Sequence, residues 1–512
     1  MIRKTLCLAR RALPLLTVGT LMGQGSGAPL VLTHKEALRL GMTNLLQVRI
    51  AKELREEFLQ EPEAQRGIFD WNLSAALFNS REQFADTNPR FSGLANLYYT
   101  ALDTTVQSRG ASMDLSKLTP YGGTLDLNFT ATYNNFGFQE SSQTLPVGPA
   151  AALAFGTVNP YAGRLSLGFT QPLLQGFGRP VTEARLRAAL EEAKAADESF
   201  RKRMEDLLVL VDDLYWNQVH ARQNLINKQA ALDLARKQLS EDQDRVKSGM
   251  LAPLELPQTE AAVAEREKSV IAAKGALKDA QDALMDELFP EGDQPPAIEA
   301  KDMPGAGPEP PVLEDAVETG LVRRPELAAA SHDVAARESL EAAARNYALP
   351  KLDTRVAVMQ DSNTHSDASG VWNDWTQSDY PGYYVGLTFS YPLGNRFARA
   401  RLAQARAATL GSELSLRDAR TTVRLDVEQA YTGLVSARKQ VEAADKGLTY
   451  RIESLDAEMT KLDNGMSTSF FVLQRQEELD QSKTLDLDAR IAVEKARTRL
   501  QRAIGTLEEI LD

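Results

Sequence analysis

An internal repeat restricts the fold of this chain more than any other feature of its sequence. Segments with a similar pattern recur 216 positions apart, as in "QVHARQ" (218–223) and "LVSARK" (434–439). Three further pairs of identical residues keep this spacing: Tyr215 with Tyr431, Gly249 with Gly465, and Gln258 with Gln474. Self-similarity at a constant offset indicates a duplicated unit. The sequence therefore predicts two halves of the same architecture.

Each half contains a segment in which a strand pattern changes to a helix pattern. In "LSLGFTQPLLQGFGR" (165–179) and "VGLTFSYPLGNRFAR" (385–399), apolar residues alternate with small or polar ones until helical periodicity begins. Pro172 and Pro392 lie between the two patterns. Because proline cannot donate a hydrogen bond to a sheet, we predict that these two residues mark the barrel-to-helix junctions.

A heptad pattern follows each junction and predicts long coiled-coil helices. The first seam comprises Leu207, Val211, Leu214, Gln218, Ala221, Leu225, Lys228, Leu232, Ala235, Leu239, Asp242 and Val246. The second comprises Val423, Val427, Ala430, Leu434, Ala437, Val441, Ala444, Leu448, Arg451, Leu455, Glu458 and Leu462. Each helix is on the order of 100 Å long at about 1.5 Å per residue. Because Gly249 and Gly465 can end these helices and apolar periodicity then resumes, each half is expected to contain a long helical hairpin.

Alternating residues before each junction predict strands with one apolar and one polar face. The pattern is longest in "GGTLDLNFTATYNN" (122–135), recurs at 165–169 and 385–391, and has further candidates at 71–78 and 352–359. Strands with apolar residues facing outwards and polar residues facing inwards are typical of a transmembrane β-barrel with a water-filled lumen. A soluble antiparallel sheet with one solvated face has the same pattern. The context of an exported chain with little else for a sheet to pack against favours the barrel.

Two strands in each half give four per chain, too few to close a barrel. Lipid does not tolerate open sheet edges, so several copies must share one barrel. Two copies would provide eight strands and three would provide twelve, which is enough for a pore. Strand character extends much further in the first half (71–171) than in the second (352–391). The excess is either a long external loop or an additional hairpin that turns at "TPYGG" (119–123).

The chain is expected to begin with a secretory signal, because basic and apolar residues precede small ones near Gly27 and Ala28. A proline-rich linker between the halves is poor in apolar residues, and we expect it to contribute no element of the core. The predicted organisation is a signal (1–28), a first repeat (29–289) with strands at about 71–171 and a hairpin at about 179–289, a linker (290–311), and a second repeat (312–512) with strands at about 352–391 and a hairpin at about 396–510.

Composition argues against several classes of function. A net charge of −12 disfavours a nucleic-acid partner. The only cysteine, Cys7, lies in the predicted signal and leaves the exported chain without a disulfide. Asp361, His365 and Asp367 lie in a polar segment typical of a solvated external loop, and no segment combines a nucleophile, a base and an orienting group. We therefore expect no cofactor, no bound metal and no enzymatic activity.

These features together resemble the TolC-like outer-membrane efflux proteins. The signal, the duplicated strand-to-helix units, the "TQPLLQGFGR" junction (170–179) and the glycine-ended hairpins carry the resemblance. It implies an α+β membrane protein in which long α-helical coiled-coil hairpins form a periplasmic α-barrel joined to a shared transmembrane β-barrel. By this resemblance the protein is a homotrimer, with two internal repeats and four strands per chain.

The same resemblance implies a channel-tunnel that crosses the outer membrane and extends into the periplasm. Such a channel exports small molecules or proteins, as in type I secretion, from an inner-membrane pump and a periplasmic adaptor. The tips on which adaptors dock correspond to Gly249, Met250, Gly465 and Met466.

The gate of the best-known family member matches this sequence only in part. Two aspartates that ring its closed entrance are replaced here by Phe471 and Gln474. An acid beside the first tip is kept as Glu255, whereas its tyrosine and arginine partners are replaced by Leu462 and Ser467. Phe471 either lines the constriction or packs between helices.

Two other classes of protein share part of the pattern. A periplasmic adaptor is exported and carries a helical hairpin, but normally only one and without amphipathic strands. A structural coiled-coil envelope protein has heptads, but it does not need an amphipathic strand such as "TLDLNFTATY" (124–133). Extraction from the envelope by salt instead of detergent would favour these alternatives.

Overall fold

A computed structural model describes residues 30–92, 96–140, 161–249, 252–290, 297–305, 309–365, 367–377 and 380–507. The predicted signal (1–28) and Met250 lie outside these residues. Within them, no helix is long and apolar enough to cross a membrane.

Long helices and one large sheet account for most of the described chain. The helices are α1 (His34–Asn44), α2 (Leu46–Arg66), α3 (Arg179–Thr182), α4 (Ala184–Lys247), α5 (Leu256–Leu288), α6 (Leu313–Arg323), α7 (Pro325–Tyr347), α8 (Ala368–Gln377), α9 (Arg396–Asp463) and α10 (Ser469–Ile504). The strands are β1 (Leu30–Leu32), β2 (Asn72–Ser92), β3 (Asn96–Leu118), β4 (Thr124–Glu140), β5 (Tyr161–Pro172), β6 (Ile298–Ala300), β7 (Lys351–His365) and β8 (Pro381–Ser390).

The chain divides into two compact units. We call the first the tip unit; it comprises Met1–Glu53, Ser199–Leu327 and Arg420–Asp512. The second, the sheet unit, comprises Leu54–Glu198 and Ala328–Ala419.

The sheet unit contains a six-stranded antiparallel sheet in the order β2-β3-β4-β5-β7-β8. The expectation of two strands in each half was therefore wrong for the first half, which contributes four. β3 and β4 are joined by a tight turn at 119–123, in which Gly122 has φ +87° and donates a backbone hydrogen bond to Thr119. The long segment of strand character is thus an additional hairpin. β3 was not recognised because Arg109 and Lys117 interrupt its apolar alternation.

The two faces of this sheet differ in polarity. One face carries an apolar belt that crosses all six strands, and one row of the register joins Leu73, Leu115, Leu127, Leu167, Val358 and Tyr383. The opposite face carries polar residues with ion pairs between strands. Arg164 Nε lies 2.5 Å from Asp361 Oδ1, and Arg355 Nη2 lies 2.8 Å from Asp126 Oδ2.

The segment expected to be a solvated loop contains a short helix, α8. Trp375 packs edge to face on Phe129 of the sheet, with ring centroids 4.9 Å apart, and Val371 is buried. Both contacts use the apolar face of the sheet, whereas Trp372 remains exposed. Val371 and Trp375 are four residues apart in "ASGVWNDWTQ" (368–377) and so share one face of the helix, which explains why this segment can lie along a surface.

The heptad prediction is confirmed in the tip unit. α4 and α9 have 64 and 68 residues, and they end just before Gly249 and Gly465, whose φ angles are +77° and +70°. Seam residues such as Val211, Ala235 and Val427 are buried. A positive φ suits glycine because other residues pay a steric cost there.

The core of the tip unit includes part of the linker, contrary to the expectation from its composition. β6 pairs in parallel with β1, and Ile298 is fully buried. Gln218 donates a hydrogen bond to the backbone oxygen of Ile298 over 2.5 Å. Tyr215 donates to Asp302 Oδ2 over 2.6 Å, and burial together with this bond raises the pKa of Tyr215. Three residues in register with β1, of which Ile298 and Ala300 are buried, are thus enough to form a strand within a proline-rich segment.

Candidate functional site

The two hairpin tips lie at the ends of α4 and α9 in the tip unit. Gly249, Gly465 and Met466 are exposed, and Met466 presents 71% of its surface. A side chain at either glycine would meet no atom within 4 Å. The positive φ of each glycine, and not a lack of space, therefore restricts these positions.

A buried carboxylate connects the two hairpins just above the tips. Asp242 of α4 is fully buried and accepts three hydrogen bonds. Gln238 Nε2 donates over 2.9 Å, Thr259 Oγ1 of α5 over 2.8 Å, and Ser469 Oγ of α10 over 2.7 Å. The bond from Ser469 is the one that crosses from the second hairpin to the first. Because a buried charge without partners is costly, this arrangement favours one position of α10 against α4.

A second charged group joins the same helices further from the tips. Asp480 of α10 is buried, and its Oδ2 lies 2.7 Å from Lys228 Nζ of α4 and 3.3 Å from Arg266 Nη1 of α5. Arg266 Nη2 also lies 2.7 Å from Glu477 Oε2. Two cations on the first hairpin thus face two carboxylates on the second. Removal of either partner of a buried ion pair leaves an uncompensated charge, so this group also opposes separation of the hairpins.

At the tips themselves the contacts between hairpins are weaker. Arg245 Nη2 lies 2.9 Å from Asp463 Oδ1, but the Asp463 side chain is 74% exposed. Surface ion pairs of this kind contribute little, because water screens both charges. Strength in the contact between hairpins therefore increases from the tips towards Asp242.

Phe471 and Gln474 lie on the first turns of α10 and are both exposed. The ring of Phe471 is 46% exposed and contacts Phe470 edge to face, with centroids 5.5 Å apart. Val472, the residue after Phe471, is fully buried in an apolar cluster with Leu455, Leu462 and Leu479. In a single chain, the packing of α10 onto α9 therefore uses Val472 and leaves Phe471 outside the core.

Comparison with known proteins identifies the family. The profile of the outer membrane efflux protein family matches residues 69–288 and 316–506, which is most of the chain. The chain belongs to the outer membrane efflux protein family. It lies in the outer membrane and extends into the periplasm, as predicted. The family consists of transport proteins and not of enzymes.

Individual proteins are similar to this chain over different lengths. The alkaline protease secretion protein AprF of Pseudomonas aeruginosa is 26% identical over 151 residues, which cover 28% of this chain and 31% of AprF. The CusC structure covers 94% of this chain and 95% of its own, with a TM-score of 0.63 and 16% identity. The structure of the open-state MtrE channel of Neisseria gonorrhoeae covers 93% of this chain and 89% of its own, with a TM-score of 0.62 and 14% identity. At these identities the two structures show the fold alone.

The positions that the family resemblance assigns to the gate make other contacts in this efflux protein. Glu255 ends the short 3-10 turn Pro253–Glu255 and is half-buried. Leu462 belongs to the apolar cluster of the second hairpin, against which Leu234 of α4 packs. Ser467 donates to Glu458, also in the second hairpin, and hydrogen bonds from Ser467 and then Lys461 lower the pKa of Glu458. Near the tips, the buried contacts between hairpins are made by Asp242 and Asp480, neither of which the sequence analysis assigned to the gate.

The strand-to-helix junctions of this efflux protein lie in the sheet unit. Pro172 is the last residue of β5, and Pro392 follows β8 by two residues. Gly178, with φ +93°, precedes α3, and Asn395, with φ +40°, precedes α9. Asn395 Nδ2 donates to the backbone oxygen of Ala348 over 2.9 Å, which fixes the chain where it leaves the sheet. Among the described residues, no group of three or more acidic, histidine or cysteine side chains could hold a metal ion.

Proposed function

We propose that this protein is a homotrimeric outer-membrane channel-tunnel that exports small molecules or proteins delivered by an inner-membrane pump and a periplasmic adaptor. The observation that carries the proposal is the sheet with an apolar belt on one face and polar residues on the other. An apolar face can contact lipid while the polar face lines water. α4 and α9 follow two of its strands and are each about 100 Å long, so they can continue the wall of a conduit into the periplasm.

The hairpin tips form the gate in this proposal. The closed state has α10 held against α4 and α5 by Asp242 and Asp480, and the open state has the second hairpin moved away from the first. The bond between Ser469 and Asp242 must break in that movement, whereas the bond between Thr259 and Asp242 lies within the first hairpin and stays intact. Opening is therefore a change between two packings of the hairpins.

Phe471, Gln474 and Glu255 are proposed to line the entrance below this contact. The exposure of Phe471 in a single chain supports a position in the lumen, where three copies would form an apolar ring. Such a ring excludes ions by size and dewetting and not by charge. In the alternative, the exposed ring of Phe471 packs against a helix of a neighbouring copy.

The adaptor is proposed to dock on the two tips, at Gly249 and Met250 and at Gly465 and Met466. The exposed Met466 offers an adaptable apolar contact, and the positive φ of Gly249 and Gly465 gives each tip a defined shape. AprF is an alkaline protease secretion protein, and the similarity to it supports type I secretion as the pathway of export.

The experiment that tests the function combines extraction with bilayer recording. We expect the protein to stay in the envelope after a salt wash, to dissolve in detergent as a trimer, and to give discrete conductance steps in planar bilayers. Release by salt, or a detergent-soluble protein without conductance even after deletion of both tips, would refute the channel. Crosslinking from Met466 in the envelope should capture one adaptor, and a Met466→Lys variant should lose that product while its conductance is kept.

A further inference from the structure

The six-stranded sheet has two edges that a membrane protein cannot leave open. β2 and β8 end the strand order, so one side of each has no partner strand within the described chain. In lipid every unpaired backbone group costs several kcal/mol. The inference below rests on the proposed function, because only a sheet that spans a membrane must close in this way.

The directions of the strands allow closure by copies of the same chain. All five neighbouring pairs in the sheet are antiparallel, so the directions alternate from β2 to β8. An even number of alternating strands gives the two edges opposite directions. β8 of one copy can therefore pair with β2 of the next copy as one more antiparallel pair.

The β2–β3 hairpin carries the same apolar belt as the other strands. Leu73 and Leu77 of β2 and Met113 of β3 lie on the face that bears Leu127 and Leu167, and all five are exposed. A hairpin that folded into the lumen as a plug would have no reason for apolar residues in these rows. β3 and β4 also pair continuously from Leu102 with Glu140 to Leu118 with Thr124. The hairpin is thus part of the wall.

Exposure along the belt is greatest at the two edges. Leu77 of β2 is 87% exposed and Tyr383 of β8 is 84% exposed, against 37% for Leu127 and 45% for Leu167 in the middle of the sheet. A side chain on a strand is normally covered on both sides by its cross-strand neighbours. The edge side chains have such a neighbour on one side in the single chain, and a second copy would supply the other.

We propose that three copies close an eighteen-stranded barrel, six strands from each, in which β8 of every copy pairs with β2 of the next. The family resemblance implied twelve strands. Because barrel diameter increases roughly in proportion to strand number, the wall would be about 1.5 times as wide as that of a twelve-stranded barrel at equal tilt. A barrel of this size leaves an aqueous channel without plugging side chains, which suits bulky substrates such as polypeptides.

Disulfide crosslinking between copies tests this arrangement. The sequence has a single cysteine, Cys7, within the predicted signal. Any disulfide in the exported protein would therefore come from the introduced cysteines. Val385→Cys on β8 is combined in turn with cysteine at Leu73, Ala75 and Leu77 of β2. Opposed residues of an antiparallel pair lie within the Cα distance that a disulfide spans. We expect at least one combination to give covalent trimers on non-reducing gels.

The matched control combines Val385→Cys with cysteine at Leu125, Leu127 and Phe129 of β4. These positions would face β8 of the next copy if the β2–β3 hairpin lay outside the ring and the barrel had twelve strands. Crosslinks to β4, or none to β2 in a protein that is extracted by detergent as a trimer, would overturn the eighteen-stranded barrel alone. A protein that is monomeric or released by salt would instead refute the proposed function. Electron microscopy of the detergent-solubilised trimer gives the rim diameter as an independent readout.

Discussion

Loss of the hydroxyl group of Ser469 should open the proposed gate, and the structure gives the size of the effect. Ser469→Ala removes one hydrogen bond to the buried carboxylate of Asp242 and leaves the bonds from Gln238 and Thr259 in place. A hydrogen bond to a charged group contributes about 1.5–3 kcal/mol. Because this bond is present only when the hairpins are together, its loss should shift the equilibrium towards the open state by about 10- to 150-fold.

Thr259→Val is the matched control for this prediction. It removes a hydroxyl donor from the same carboxylate, over nearly the same distance, but the lost bond connects α4 with α5 inside one hairpin. The closed and open states both lose this hydrogen bond, so the equilibrium between them should not change. The variant should therefore lower the melting temperature without changing the open probability.

The assay is the single-channel open probability in planar bilayers, with thermal unfolding measured on the same preparations. Ser469→Ala should increase the open probability about 10-fold or more, provided that the unmodified channel is open less than a hundredth of the time. The reasoning is refuted if Thr259→Val opens the channel as much as Ser469→Ala does. It is also refuted if Ser469→Ala destabilises the protein and leaves the open probability unchanged.

Three further predictions concern the entrance, the tip and pH. Phe471→Ala should raise conductance, and trivalent cations on the periplasmic side should have little effect; strong cation block with unchanged conductance in the variant would mean that Phe471 packs between helices. Gly465→Ala should destabilise the tip by about 1–2 kcal/mol, because alanine is strained in the left-handed conformation, and should weaken adaptor binding. In the control Gly411→Ala, at an open position of α9, the protein should bind the adaptor as before. Burial raises the pKa of Glu326, but the hydrogen bond from buried Arg324 outweighs it and the net pKa is lowered. The resulting stability is complete above pH 4.5 and lost as pH falls through the lowered pKa, so the difference in melting temperature from Glu326→Gln should vanish in acid.

The sequence predicted the elements of this fold better than their number. Periodicity alone located the two long hairpins, because a heptad seam and a terminal glycine are local signals. It also indicated the strands that contain 71–78, 122–135 and 352–359. β3 was not predicted because strand prediction depends on alternation, and Lys117 and Arg109 interrupt the apolar run on one face of this strand.

The linker shows a different limit of prediction from composition. Proline and glycine content correctly describes most of 290–311, but three residues of it pair with β1 and bury Ile298. The partner strand is more than 260 residues away in the chain. No local pattern can indicate such a pairing, because its stability comes from the core that Tyr215 and Leu284 provide.

Two of the residues that hold the hairpins together were visible in the sequence as exceptions to the seam. Lys228 and Asp242 occupy positions where a heptad requires apolar residues, and each of them is bonded to α10 of the second hairpin, whereas Gln218 in the same seam is bonded to β6. A polar residue at such a position reduces the stability of a coiled coil and specifies how its helices are aligned. In a gate that must close in one register and still open, such residues serve both needs, because their bonds are specific and can be exchanged for water. In the first seam, these polar exceptions are therefore a better indication of the proposed gate than Leu462 and Ser467, the positions carried over from a relative, which lie in an apolar cluster and beside Glu458 of the second hairpin.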